Sequence, residues 1–147
     1  MDFCQKRFYE LTLDELYAIL RLRADVFVVE QDCPYQDLDD KDQAALHLCL
    51  RDESGILAYL RLMDRGVSHD CVSIGRVIAV QRRKGLATQL LRRAIEAARE
   101  EFHADHIYLE AQVYAKALYE KLGFRQISGE FLEDGIPHVQ MLLDCEE

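Results

Sequence analysis

The stretch Val77-Ile78-Ala79-Val80-Gln81-Arg82-Arg83-Lys84-Gly85-Leu86-Ala87-Thr88 decides how this chain folds. An apolar, β-branched run ends, a basic turn follows, and a long amphipathic segment starts at Gly85. That order predicts a strand, a turn and a helix. The first amides of a helix have no partners inside it, and the aligned peptide dipoles make that end partly positive. Such an end suits a phosphate group. Gly85 and the small Ala87 let the backbone come close, and Arg82, Arg83 and Lys84 add positive charge. The alternative is a solvated basic turn before an ordinary helix. Neither G-x-x-x-x-G-K-[ST] nor G-x-G-x-x-G occurs, which sets aside a Walker-type ATPase and a dinucleotide dehydrogenase.

Outward from this stretch, Val72 to Val80 reads as a strand, and Gly75 inside it suggests a bulge or a close backbone approach. Gly85 to Glu101 reads as a helix with Leu86, Leu90, Leu91, Ala94, Ile95 and Ala98 on one side. Thr12 to about Gln31 reads as another helix, opened by the capping box Thr12–Glu15. Phe3 to Tyr9, Ala45 to Arg51 and Ile56 to Met63 read as strands, the last two joined by the turn Asp52-Glu53-Ser54-Gly55. Ile107 to Ala111 is a short strand, and Val113 to Leu122 a helix closed by Gly123. Phe124 to Ile127 and Pro137 to Leu143 complete the strands. Adjacent strands imply antiparallel pairing and the later β-α-β unit at least one parallel pair. The expectation is a mixed α/β sheet of about seven strands, mostly antiparallel, with helices on its faces.

The chain has 147 residues, 50% of them hydrophobic and 31% charged, which suits a single domain over residues 1–147. Eighteen basic against 27 acidic residues give a net charge of −9, so a polyanion such as DNA meets a repelling average surface. Cationic partners such as amines are tolerated. Five cysteines, an odd number without any C-x-x-C pair, argue against a disulfide framework or a zinc ribbon and point to a reducing cytoplasm. The polar N-terminus is unlike a signal peptide, and the longest apolar runs are too short to cross a membrane.

Read as Arg82-x-x-Gly85-x-Ala87, the basic turn resembles the [Q/R]-x-x-G-x-[G/A] pyrophosphate loop of the GCN5-related N-acetyltransferases (GNAT). Ala115-Lys116-Ala117-Leu118-Tyr119-Glu120-Lys121-Leu122-Gly123-Phe124 resembles the same family's A-x-x-x-Y-x-x-x-G-F signature. The order of the two motifs, with β-α-β between them, makes chance a poor explanation. The run from Val26 to Asp37, Gly75-Arg76-Val77, and Glu133 to His138 resemble the ElaA-type branch of the superfamily. The resemblance implies a GNAT acyl-CoA N-acyltransferase fold with acetyl-CoA as co-substrate and no metal. It also implies that Ile78, Ala79, Val80, Arg82, Arg83, Lys84, Gly85, Leu86, Ala87, Thr88, Gln112 and Tyr119 bind that co-substrate. In the family the helical Tyr lies beside the coenzyme A sulfur. Tyr119 would then protonate the departing thiolate, a phenol of pKa about 10 donating to a thiolate whose acid has a pKa of about 8.5. Two departures stand out. Gln112 replaces a frequent Asn, and the strand Val72 to Val80 lacks the carboxylate base that many members carry there.

The implied reaction is direct attack of a primary amine, small-molecule or peptide, on the acetyl thioester in a ternary complex. A backbone N–H near Ile78 to Val80 is expected to polarise the thioester carbonyl. Candidate bases or substrate contacts are Glu30, His47, Glu110 and His138, with Glu30 and His138 ranked first; each also reads as structural when taken singly. His103, Asp105 and His106 span a helix end and a strand and are not expected to converge on a metal; His47 with Cys49 is too small a set. The run Asp37 to Asp42 lacks EF-hand spacing and reads as a solvated loop that steers cations. No His or Lys beside Cys33 marks it as a nucleophile. The rival reading is a non-catalytic acyl-CoA-binding or interaction module on the same fold. Exposed edge strands would let two subunits pair.

Overall fold

The structure, a computed structural model, describes residues 1–81 and 85–145. Its strands are β1 (Asp2–Arg7), β2 (Leu46–Asp52), β3 (Gly55–Met63), β4 (Val72–Ala79), β5 (His106–Gln112), β6 (Arg125–Gln126), β7 (Phe131–Glu133) and β8 (Ile136–Asp144). Its α-helices are α1 (Leu13–Ala24), α2 (Leu86–Phe102) and α3 (Lys116–Lys121). The strands form one sheet in the order β1-β2-β3-β4-β5-β8-β6, with β7 also on β8. Every pairing is antiparallel except that of β4 with β5.

Strand alternation divides the core between the two faces. Leu46, Leu48 and Leu50 of β2 and Ala58, Leu60 and Leu62 of β3 share one buried cluster with Leu90, Leu91, Ala94 and Ala98 of α2. Each large side chain buried there contributes about 1.5–3 kcal/mol. On the other face Cys4, Cys49, Tyr59 and Ile78 pack with Ile19 of α1. Helices therefore cover both faces, as the sequence pattern implies.

Four local differences from that pattern have physical reasons. The first helix keeps its Thr12–Glu15 capping box, but residues Asp25–Glu30 form a wider π-helical turn, too short for apolar spacing to distinguish from α. The turn after β2 is tighter than four residues, because Asp52 and Gly55 already pair across the hairpin. The bulge expected at Gly75 lies one residue on, at Arg76, whose φ is 53°. Tyr59 pairs with Ile78 but Arg61 with Gly75, so β4 holds one extra residue there. That residue inverts the alternation: Val72 and Ile74 face α2, whereas Ile78 faces α1. The strand β7 was not expected. It forms a hairpin with β8 through Asp134 and Gly135, both at positive φ (52° and 78°), the backbone of a two-residue type I′ turn.

The run Asp37 to Asp42 is not a solvated acidic loop. Arg23 of α1, fully buried, donates from Nε to Asp37 (3.0 Å) and from Nη1 to Asp42 (2.7 Å). Arg61 of β3 reaches Asp42 (2.9 Å) and Asp39. Arg76, at the bulge, donates to the Asp37 carboxylate (2.8 Å) and carbonyl (3.0 Å) and pairs with Asp39 (3.3 Å). Its guanidinium lies 5.2 Å from the centre of the Tyr35 ring, whose hydroxyl donates to Asp37. Three arginines from three elements thus neutralise three aspartates of one segment. His47 belongs to the edge of this network, donating from Nε2 to the Asp42 carbonyl and accepting the Tyr59 hydroxyl at Nδ1.

Removing one partner of a buried ion pair leaves the other uncompensated, which costs about 3–5 kcal/mol. Arg23→Met is expected to lower stability by that order, read as a fall in the urea midpoint. Burial alone would raise the Asp39 and Asp42 carboxyls, but their guanidinium partners outweigh it and hold both below the usual range. Glu15 is held down to about 2 by the Thr12 amide, Arg51 and Lys6. Carboxyls depressed in the folded state stabilise it at neutral pH and lose that contribution as pH falls. Stability is therefore expected to decline from about pH 5 towards pH 2, with a shallower acid limb in Glu15→Gln, followed by denaturant titration at each pH.

Candidate active site

The parallel ladder between β4 and β5 contains two residue pairs, Val72–Ile107 and Ser73–Tyr108. Beyond them the strands diverge, and each leaves an unpaired edge inside the sheet. A cleft of about 1190 Å³ occupies the gap. Of the residues singled out in the sequence, Glu30, Ile78, Ala79, Val80, Gly85, Leu86, Ala87, Thr88, Glu110, Gln112, Tyr119 and His138 all line it. His47 does not; it is buried in the arginine–aspartate network. Arg82, Arg83 and Lys84 lie outside the described residues.

At one wall of the cleft Gly85 caps α2 in the left-handed conformation, with φ at 70°. Among the described residues no side chain caps the helix, and no carboxylate occurs in its first turn. The first amides of α2 are left for a ligand, and the helix dipole favours an anionic one. Next to it, the end of β4 supplies backbone donors. The Val80 amide donates to the Leu57 carbonyl at 2.8 Å, so it is not free to polarise a ligand carbonyl. Amide direction alternates along an antiparallel strand, which turns the Ala79 N–H towards the open side.

Tyr119, on α3, is 6% exposed and belongs to the α2-side core cluster. The Phe124 ring meets it edge to face, with centroids 5.9 Å apart. Burial pushes its phenol above the ordinary tyrosine range, so it stays protonated at neutral pH. The positive φ of Gly123 (100°) ends the helix and turns the chain so that Phe124 reaches the ring.

A further wall is built by β5, β7 and β8. Tyr108, Glu110 and Gln112 share one side of β5, and His138 pairs across from Gln112. The Tyr108 hydroxyl donates to Glu110 Oε2 at 2.8 Å, and the His69 ring stacks on Tyr108 at 3.7 Å. His138 donates from Nδ1 to the Ile136 carbonyl (2.7 Å), which leaves Nε2 facing Glu133 Oε2 at 3.7 Å. Glu133 lines the cleft too, and sequence reasoning missed it because its strand was unread. The available signal was the Asp134-Gly135 pair, the commonest short hairpin turn. Among the described residues no group of three or more His, Cys, Asp or Glu side chains is placed to hold a metal. No described helix is long and apolar enough to cross a membrane.

An anion held at the α2 N-terminus would set helix stability against ligand binding. A carboxylate in the first turn stabilises a helix by about 0.3–1 kcal/mol, yet it would repel a phosphate held there. Ala87→Glu is expected to leave the thermal midpoint equal or higher while weakening coenzyme A binding about tenfold or more, measured by calorimetric titration.

Residues 17–145 match the family model described as an acetyltransferase (GNAT) domain. A UPF0039 protein of Schizosaccharomyces pombe is 40% identical over 98% of this chain and 97% of its own. Protein ElaA of Escherichia coli is 36% identical over 90% of this chain and 89% of its own. The crystal structure of an acyl-CoA N-acyltransferase from Pseudomonas aeruginosa superposes with a TM-score of 0.90 at 42% identity, covering 97% of this chain and 99% of that one. That of E. coli ElaA also has a TM-score of 0.90, at 33% identity and with the same coverage. With these likenesses extending over nearly the full length, the chain belongs to the GNAT acetyltransferase-domain family, in its ElaA-like branch, as an acyl-CoA-dependent acyltransferase.

Proposed function

We propose that the protein, acting as one domain over residues 1–147, transfers an acetyl group from acetyl-CoA to a primary amine of a small molecule or peptide. The observation that carries this reading is the cleft itself. One wall offers an anion site at the α2 N-terminus, another a buried protonated phenol, and a third a set of carboxylates and a histidine. The first suits a pyrophosphate, with Gly85, Leu86, Ala87 and Thr88 at the helix start and Arg82, Arg83 and Lys84 just before it in sequence. Ser73 Oγ, buried and without a hydrogen-bond partner among the described residues, lines the same cleft and suits a polar ligand. Ile78, Ala79 and Val80 flank the acyl arm, and Gln112 offers an amide from β5.

In the reaction the amine nitrogen attacks the thioester carbonyl as both lie in the cleft. The Ala79 N–H meets the charge that develops on the oxygen. The C–N bond forms, the C–S bond breaks, and the thiolate takes the Tyr119 proton. The second proton of the nitrogen passes to the carboxylate–histidine wall and returns to Tyr119 through water. His138 belongs to that wall, and Glu30, exposed at the end of the π-helical turn, faces it as an acceptor contact. Glu30, Glu110, Glu133 and Asp134 all line the cleft, which favours a cationic acceptor. Unpaired thiols at Cys4, Cys33, Cys49, Cys71 and Cys145 fit a cytoplasmic setting.

The test is thiol release from acetyl-CoA with ethanolamine, putrescine, spermidine, tyramine, lysine and a peptide with a free N-terminus. At least one amine is expected to raise it well above hydrolysis. Tyr119→Phe is expected to cut the transfer rate about 10²-fold while coenzyme A binding stays within twofold. Tight coenzyme A binding with no amine-dependent release would make the protein a binding module instead.

A further inference from the structure

Resting on the acyl-transfer reading above, we propose that Glu133 accepts the proton of the acceptor's ammonium group, while Glu110 and His138 hold it in position and draw the cation to it. The Asp134-Gly135 turn fixes the register of β7 on β8, pairing Phe131 with His138 and Glu133 with Ile136. The Cys33 thiol donates to the Asp134 carbonyl at 3.5 Å and ties this turn to the segment after α1. Glu133 is thus on a braced element, although its side chain is about half exposed.

Its surroundings are asymmetric. Glu110 receives the Tyr108 hydroxyl at 2.8 Å. Glu133 has no such donor from the protein side. It faces Glu110, another acceptor, and His138 Nε2 at 3.7 Å, which pairs with it when the ring is protonated. The charged and titratable groups around Glu133 are Glu110 and Tyr108 from β5, His138 from β8 and Asp134 from its own turn. Acceptors brought face to face call for a proton among them. Burial and the Glu110 carboxylate both raise Glu133 above the usual glutamate range. The tyrosine hydroxyl engages one carboxylate, and Glu133 is left to exchange the proton. Beside them Ser73 Oγ, 3% exposed and without a partner among the described residues, lies on β4 in register with Tyr108 and lines the same cleft. It provides the polar contact that a bound acceptor would complete.

The step balances simply. An N–H bond of the ammonium breaks and an O–H bond forms on Glu133. The nitrogen lone pair is freed for attack, and Glu133 returns the proton to water through its exposed side. No electron transfer is involved.

Glu133→Gln, assayed with the fastest amine of the panel above, is expected to lower kcat/KM about 10²-fold at pH 7 while KM for acetyl-CoA stays within twofold. The loss should shrink about tenfold per pH unit as the amine deprotonates in solution, and Glu133→Asp should keep part of the activity. A Gln variant within threefold of the parent from pH 6 to 9 would overturn the proposal. If no amine is acetylated, the acyl-transfer reading fails by itself. The carboxylate assignment then still stands or falls on a carbon-13 titration. Glu133 should titrate above the ordinary glutamate value of about 4.3 and move down in Glu110→Gln, whereas an ordinary midpoint indifferent to that substitution would overturn it.

Discussion

The arginine–aspartate network on the α1 face is the constraint on which the cleft depends. A guanidinium from α1, another from β3 and a third from the β4 bulge meet Asp37, Asp39 and Asp42. Burying charges is costly unless each is paired and hydrogen-bonded. Here the geometry is met by forked contacts, with Arg76 reaching both the carboxylate and the carbonyl of Asp37. The result is a joint between a segment without regular structure and the strand that forms one wall of the cleft. Arg76 holds a positive φ, a conformation that costs a non-glycine residue about 1–3 kcal/mol and persists where its surroundings over-determine it. The aspartates supply that determination. The bulge in turn rotates Ile78 onto the α1 face and redirects the end of β4 beside the α2 N-terminus.

The same joint redraws the charge map. A net charge of −9 suggests a uniformly acidic surface. Three of the acids closest together in sequence are in fact cancelled by two buried arginines and the half-buried Arg76. The acidity that matters to the cleft comes instead from three separate stretches, at Glu30, at Glu110 and at Glu133 with Asp134. The cleft is therefore electrically polar: a partly positive helix end at one wall and carboxylates at another. A substrate with a phosphate tail and a partner with an ammonium group would be drawn to different walls, with their reacting ends between them.

How much of this was legible in the sequence follows from the range of each interaction. Helix α2 announced itself through a stripe of leucines and alanines repeating at helical spacing, and Thr12 with Glu15 marked the start of α1. The loop before Gly85, whose Arg82, Arg83 and Lys84 lie outside the described residues, and the Tyr119 segment each rest on a short run of adjacent residues, the kind of pattern a family motif can express. The network was not, because its partners are 14 to 39 positions apart and a row of aspartates looks the same whether solvated or paired. Strand β7 was missed because three residues are too few to establish alternation. Glu133 went with it, since its neighbours Glu110 and His138 come from other strands. Val80 lines the cleft, yet the use of its amide by Leu57 depends on sheet register, which no local pattern encodes.

The divided sheet has a consequence for folding as well as for chemistry. Strands β1 to β4 and β5 to β8 are hydrogen-bonded to each other through two residue pairs, and beyond them the gap is left to whatever enters it. A molecule that spans the gap acts as a missing piece of the sheet, and it has no comparable site on the unfolded chain. Binding and folding are then thermodynamically linked, and the ligand adds about 2.7 kcal/mol to stability at a hundredfold excess over Kd. For this architecture the concentration of any ligand held across the gap would itself be a folding variable.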